Sequence, residues 1–417
     1  MTSRWLFVLR QIMRRVWFRA TLFSLLAVAT ALVAIVVSPY IPSDLPTKIG
    51  SDAVDHILGI IASSMLTVTT FSLSTMVSAY SAATSNVTPR ATKLVIQDTT
   101  THNVLSTFIG SFLFSLVGII ALSTGLYGDR GRVVLFAVTI LVIIAIIATL
   151  LRWIDHLSEL GRVTQTTQRV EVAATEAMRA RRKNPYMGGH ILLDPKRDVP
   201  GTAVPITSPE IGYLQHIDTG ALSAIATEGS GRIYVLAIPG DLVDPTDPIA
   251  FADAVAGDDV EERILSCFSI SDTRSYEQDP RFGASVLTEI ASRALSPGIN
   301  DPGTAIDVIG RAVRLLAIWG EPLDHRPEVE HSNLFVRPIA VDDLFDDLFM
   351  PIARDGASTV EIGVRLQKAF RTLSRFGRDG YAQNARRHSQ EALERAEAAL
   401  AIEADKLRLR RLASEVL

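Results

Sequence analysis

Four long runs without a charged side chain fill the first third of the sequence, and they constrain the fold more than any other feature. The first is Ala20–Val37, ATLFSLLAVATALVAIVV. At 1.5 Å per helical residue, its 18 residues just cross a hydrocarbon core of roughly 30 Å. The second is Ile57–Tyr80, the start of an uncharged stretch that continues to Pro89. The third is Ser106–Leu126, and the fourth, Val133–Leu151, is almost pure Val, Ile, Leu and Ala. In lipid every backbone polar group must be satisfied within its own segment, so such runs read as membrane helices. Five arginines precede the first run (Arg4, Arg10, Arg14, Arg15 and Arg19), and the three later runs favour an uncleaved anchor over a signal peptide.

Most of the charge lies after Arg152, where a border of Arg152, Trp153 and Asp155 fits an interfacial anchor. The arginine-rich N-terminus outweighs Lys48 in the first loop, and Arg90 and Lys93 mark the second loop. By the positive-inside rule both termini then lie in the cytoplasm, in a protein of the cell inner membrane. The net charge of -4 over 417 residues gives no basic field, so no nucleic-acid partner is expected. A single cysteine, Cys267, excludes an internal disulfide framework, and in its apolar setting it reads as a small buried hydrophobe. No histidine pair has metal-ligand spacing on a helix, so neither a metal nor a cofactor is expected.

The second run carries hydroxyls in a pattern. Ser63, Thr67, Thr70, Ser74, Ser78 and Ser81 recur at steps of three and four residues and so share one helix face, broadened by Ser64, Thr69, Ser72 and Thr75. Two readings fit. Hydroxyls and small side chains make a close helix-packing face, or they line a polar path for an ion or small solute. The absence of intramembrane Asp, Glu, Lys or Arg argues against a proton relay or a driven pump.

The sequence predicts a four-span α-helical bundle over 1–155, then a cytoplasmic α+β domain. Residues 156–188 read as a stalk or linker helix, as part of a helix over Arg152–Lys183. Residues 189–256 read as a small β-rich barrel or sandwich, with strands near Ala203–Thr207, Gly212–Ile217, Arg232–Ile238 and Ile249–Phe251, and a helix capped by Asp218. Residues 257–417 read as helices: Asp258–Ile270, Pro280–Leu295, Pro302–Leu316, Asp342–Arg354, Thr359–Phe376 and Ala382–Val416.

Two stretches of the sequence stand out. One is Arg274-Ser-Tyr-Glu-Gln-Asp-Pro-Arg-Phe-Gly283, continuing through Leu295-Ser-Pro-Gly-Ile-Asn-Asp-Pro302; the other is Thr88-Pro-Arg90 after the hydroxyl-rich run. Together they resemble a bacterial family of predicted membrane proteins, domain of unknown function twenty-two fifty-four, over nearly the whole chain. Thr88 stands where that pattern has Ser, and Asp155 near a position where it has His. The resemblance implies topology and no catalytic role. Read on their own, Pro297-Gly298 and Asp301-Pro302 punctuate two helices, and Glu277 and Asp279 are placed for an ion pair with Arg281. The stretch is then either a rigid interhelical corner or a ligand site built from Arg274, Glu277, Asp279, Asn300 and Asp301. No nucleophile or general base accompanies these carboxylates, so an enzyme is not expected. The expected partners are the lipid bilayer, further copies of the chain, and a small ion or ligand.

Overall fold

The computed structural model describes residues 51–96, 98–124, 128–159, 162–255, 259–322 and 328–416, with isolated positions between 18 and 33. The first expected span, 20–37, lies outside the described residues apart from those isolated helical positions. The chain divides into two compact units, residues 1–86 with 92–165, and residues 87–91 with 166–417.

In the first unit the helices are α1 (Ser51–Asn86), α2 (Pro89–Ile96), α3 (Thr99–Ser123) and α4 (Gly128–Glu159). The opening residues of α2, as far as Ala91, group with the second unit. Among the described residues three helical stretches are long and apolar enough to cross a membrane: Ala53–Ala82, Thr100–Ser123 and Arg132–Leu157. They contain the second, third and fourth runs read from the sequence. Leu58, Phe108, Phe114, Leu135 and Trp153 form the buried centre. Gly118 lets α1 approach α3: a Cβ there would sit 3.0 Å from Leu58 Cδ1. Asp98 caps α3 by accepting from Thr100 N and Thr101 N, and His156 Nε2 of α4 lies 2.6 Å from its carboxylate. Trp153 is not an interfacial anchor. It is only 2% exposed, and its indole N–H donates to Ser72 Oγ of α1 at 2.9 Å. A buried indole N–H without that acceptor would lose its hydration for nothing, so Ser72 turns inward as its partner.

The second unit takes in α5 (Val163–Lys183) from Thr166 onward, a helix distinct from α4. It is no stalk. Thr166, Thr167, Val170, Ala174, Ala177, Met178 and Arg181 are buried along one face. Arg311 of α10 (Pro302–Gly320) bonds to Glu171 of α5. Gly283, in α9 (Pro280–Ala294), allows α9 to meet α5, since a Cβ there would lie 2.5 Å from Ala174 Cβ. Gly283→Ala is expected to destabilise the protein by about 1–3 kcal/mol through overpacking, read as a lower thermal midpoint of the detergent-purified protein. An unchanged midpoint would show that α5 yields freely.

Among the described residues eight strands make two open sheets. The strands are β1 (His190–Ile191), β2 (Val204–Thr207), β3 (Gly212–Ile217), β4 (Arg232–Val235), β5 (Leu242–Val243), β6 (Pro248–Asp253), β7 (Phe268–Ser271) and β8 (Leu334–Val336). One sheet has the order β1-β8-β4-β6-β2, with β8 parallel to both neighbours, and the other β5-β3-β7. Neither closes into a barrel. Both recruit strands from beyond residue 256, so the β structure is not confined to 189–256. The residues expected as one helix over 258–270 form the short α8 (Val260–Leu265) followed by β7. Phe268-Ser-Ile-Ser alternates apolar with polar and pairs antiparallel with β3, a strand period that outweighs local helix propensity. The strand expected over 232–238 leaves the ladder after Val235, where Leu236 N and Ala237 N both donate to Ile249 O.

Short helices α6 (Pro195–Asp198) and α7 (Thr219–Glu228) lie among the strands, and α7 is capped by Asp218 as expected. The remaining helices are α11 (Val341–Asp355), α12 (Val360–Leu373), α13 (Tyr381–Ala399) and α14 (Glu403–Ser414). Phe345, Phe349, Phe370 and Tyr381 are fully buried among them. The single terminal helix expected over 382–416 breaks at Leu400, which is extended. The break folds α14 back so that Leu409 packs with Ala396 and Leu400.

Candidate functional site

The Arg274–Pro302 stretch is built around α9. Pro280 takes the first helical position, where its missing N–H costs nothing. Asp279 precedes it as N-cap, accepting from Arg281 N at 3.1 Å and Phe282 N at 3.0 Å. The same carboxylate receives a fork from Arg274, Nε at 2.7 Å and Nη2 at 3.0 Å. Arg274 also lies over the Phe282 ring, 5.2 Å from its centroid. Asp279 is 1% exposed, and burial pushes its carboxyl above the ordinary carboxylate range, against the pull of Arg274.

Around this pair lie residues the sequence did not single out. Gly240 has φ +105°, and a Cβ on it would stand 2.5 Å from Asp279 Oδ2. The next residue, Asp241, accepts from Ile238 N at 2.9 Å and from Arg337 Nη2 at 2.6 Å. Arg181 comes in from α5 and donates through Nη2 to Gln278 O at 3.0 Å. Its Nη1 is buried without a hydrogen-bond partner among the described residues. Burial pushes this guanidinium down to about 10, against the nearby Asp279 and Asp241. The inward turn of Arg181 was legible, because it continues the helical spacing of Val170, Ala174, Ala177 and Met178. The role of Asp241 had no local signal beyond its place after the Pro239-Gly240 turn.

The five residues proposed as one ligand site do not converge. Arg274 and Asp279 lie at the start of α9. Asn300 and Asp301 follow its end, where Asp301 caps α10 by accepting from Thr304 N at 3.1 Å and Thr304 Oγ1 at 2.6 Å. The 15 residues of α9 hold the two ends about 22 Å apart. Asn300 is exposed at φ +50°, and Glu277 is exposed as well. Both aspartates are thus engaged as helix caps. Nor does Arg281 pair within its own segment; it forks onto Asp347 and reaches Asp343 at 2.7 Å, both on α11. Cys267 is buried, and burial pushes its thiol up to about 11. Among the described residues no cluster of His, Cys, Asp or Glu is placed to hold a metal.

Thr88-Pro-Arg90 meets the other conspicuous stretch. Arg90 Nη1 donates to Glu289 of α9 at 2.6 Å, and Tyr276 OH donates to Arg90 O at 3.4 Å. Tyr276 in turn packs on Phe282, with ring centroids 4.6 Å apart.

Among the described residues, the hydroxyl face of α1 points away from the neighbouring α3 and α4. Ser63, Thr67, Thr70, Ser74, Ser78 and Ser81 are all exposed. The buried positions Val54, Leu58, Ile61, Met65 and Ser72 occupy the opposite side of the helix. Leu66, Phe71, Leu73 and Val77 flank the hydroxyls on the exposed arc. Several hydroxyls bond back to their own helix, with Thr67 Oγ1 donating to Ser63 O at 3.0 Å and Thr70 Oγ1 to Leu66 O at 2.6 Å.

Apolar helices of membrane-spanning length, joined in one chain to an α+β unit, define a helical membrane protein. The chain belongs to the family described as Predicted membrane protein (DUF2254), whose model matches residues 13–372. It is also similar to uncharacterised proteins of Mycobacterium bovis and Mycobacterium tuberculosis. It is 34% identical to each over 116 residues, which cover 26% of this chain and 22% of each relative. The chain therefore spans well under two thirds of the length of these curated relatives. No solved structure matches it.

Proposed function

We propose that this protein assembles from several copies in the cell inner membrane, with both termini cytoplasmic, and that α1 of each copy faces a shared polar path for an ion or small solute. The observation that carries the reading is the position of the hydroxyl row at the middle of the exposed arc of α1, opposite the face packed against α3. A face of Ser and Thr suits helix–helix association or a hydrated lining better than it suits lipid tails. The charge-free span makes the flow passive. In this reading the α+β unit regulates the path and performs no chemistry. Residues 87–91 follow α1 directly in the chain and group with the α+β unit, where Arg90 bonds to Glu289 and Tyr276.

Single-channel recording of the purified protein in planar bilayers tests this. Conductance above empty-lipid controls is expected, and Thr70→Leu with Ser74→Leu is expected to reduce it severalfold. Silence across voltages, ions and pH would overturn the reading. The rival is a non-conducting sensor or scaffold. It is favoured by the unpartnered Nη1 of Arg181 beside Asp279 and Asp241, a polar centre with an unspent donor. Cryo-electron microscopy in lipid nanodiscs separates the two: a ring with the hydroxyl face inward supports the path, and a monomer supports the sensor.

A further inference from the structure

We infer that the border of the first unit carries a binding site for the phosphate headgroup of an anionic phospholipid, between the start of α3 and the end of α4. A cavity of about 170 Å³ opens there, and its polar lining is Thr100, Asn103 and Thr107 from α3 and Thr149 and Arg152 from α4. That volume is several times what one water needs and smaller than the roughly 300–1,000 Å³ of a drug-sized site. It suits a headgroup fragment.

The chemistry of the lining selects an anion. It holds hydroxyls, an amide and a guanidinium, and no carboxylate. Arg152 has no carboxylate partner among the described residues, and the Asn103 amide has no hydrogen bond there either. A planar guanidinium offers a phosphate two parallel N–H donors, and neighbouring hydroxyls and an amide supply the remaining bonds.

The position selects a lipid. Arg152 immediately follows the apolar run that ends at Leu151. Along the same helix face, at steps of three and four, Ala148, Ala145, Ile144 and Leu141 are all exposed. A ligand with its anionic head on Arg152 would therefore lay an apolar tail along that row, inside the hydrocarbon. Basic pockets between membrane helices recognise anionic lipids in this way. An arginine serving only as an interfacial cation needs neither the cavity nor the polar side chains around it.

Native mass spectrometry of the full-length protein in detergent, titrated separately with phosphatidylglycerol, phosphatidylcholine and inorganic phosphate, tests the site. Phosphatidylglycerol is expected to bind at least tenfold more tightly than phosphatidylcholine. Arg152→Gln is expected to abolish that preference. Thr149→Val combined with Asn103→Ala keeps the charge and is expected to weaken phosphatidylglycerol severalfold, an effect an unstructured interfacial cation would not give. Equal binding of the two lipids, an unaltered preference in Arg152→Gln, or an unaltered affinity in the charge-retaining variant would each overturn the proposal. Displacement of the lipid by millimolar inorganic phosphate would overturn the lipid assignment in favour of a free anion.

Discussion

Asp279→Ala is expected to destabilise the protein by about 3–5 kcal/mol, which for a unit of this size lowers the thermal midpoint by roughly 10 °C. Two losses combine. The N-cap of α9 goes, at about 1 kcal/mol, and Arg274 is left partly buried without its forked acceptor. Asp279→Asn keeps a capping oxygen and most of the shape, so it is expected to fall between. Its pH dependence carries a sign. Burial raises the native carboxyl of Asp279 above its unfolded value. The pH-dependent part of its contribution is therefore fully present below the ordinary aspartate range and is lost as pH rises through the native value, leaving the cap and the fork. The margin of the wild type over Asp279→Asn is expected to be widest at acid pH and to narrow upward. Intrinsic-fluorescence melts of both proteins in the same detergent between pH 3 and 7 check this, and a margin that widens with pH would refute it.

Gly240→Ala is expected to destabilise by about 2–4 kcal/mol. At φ +105° a side chain strains the backbone, and its Cβ would sit 2.5 Å from Asp279 Oδ2, displacing a carboxylate that holds both a helix cap and a guanidinium. The two effects separate in a double-mutant cycle. In the Asp279→Ala background only the backbone strain remains, about 1–2 kcal/mol, so the two substitutions should be clearly less than additive. Strict additivity would mean that Gly240 is required for its backbone alone.

Much of this arrangement is written locally. The apolar runs around Leu58, Phe114 and Val142 declare three long helices without any knowledge of their partners. Asp218 and Asp301 are legible as caps because an N-cap is decided by residues within one turn, whereas Asp279, read as an ion-pair partner of Arg281, caps α9 instead. What failed depends on distant chain. Phe268–Ser271 becomes a strand because β3 offers it a ladder, and Leu334–Val336 joins the sheet between β1 and β4, more than 90 residues earlier. Charged α5 turns out to bury one face, because Arg311 accommodates Glu171 and Gly283 accommodates Ala174. The supposed five-residue site illustrates a different error. Closeness in sequence suggested closeness in space, yet the length of α9 alone separates Asp279 from Asp301. The hydroxyl face was readable as a face, but only the packing of α1 against α3 reveals that it turns outward.

Residues 87–91 follow from the end of α1 yet settle with the rest of the chain, through Arg90 on Glu289 and Tyr276 on the Arg90 carbonyl. The chain thus changes units within a few residues of the end of α1. Backbone amide exchange at residues 87–91 is therefore expected to follow the second unit rather than α1.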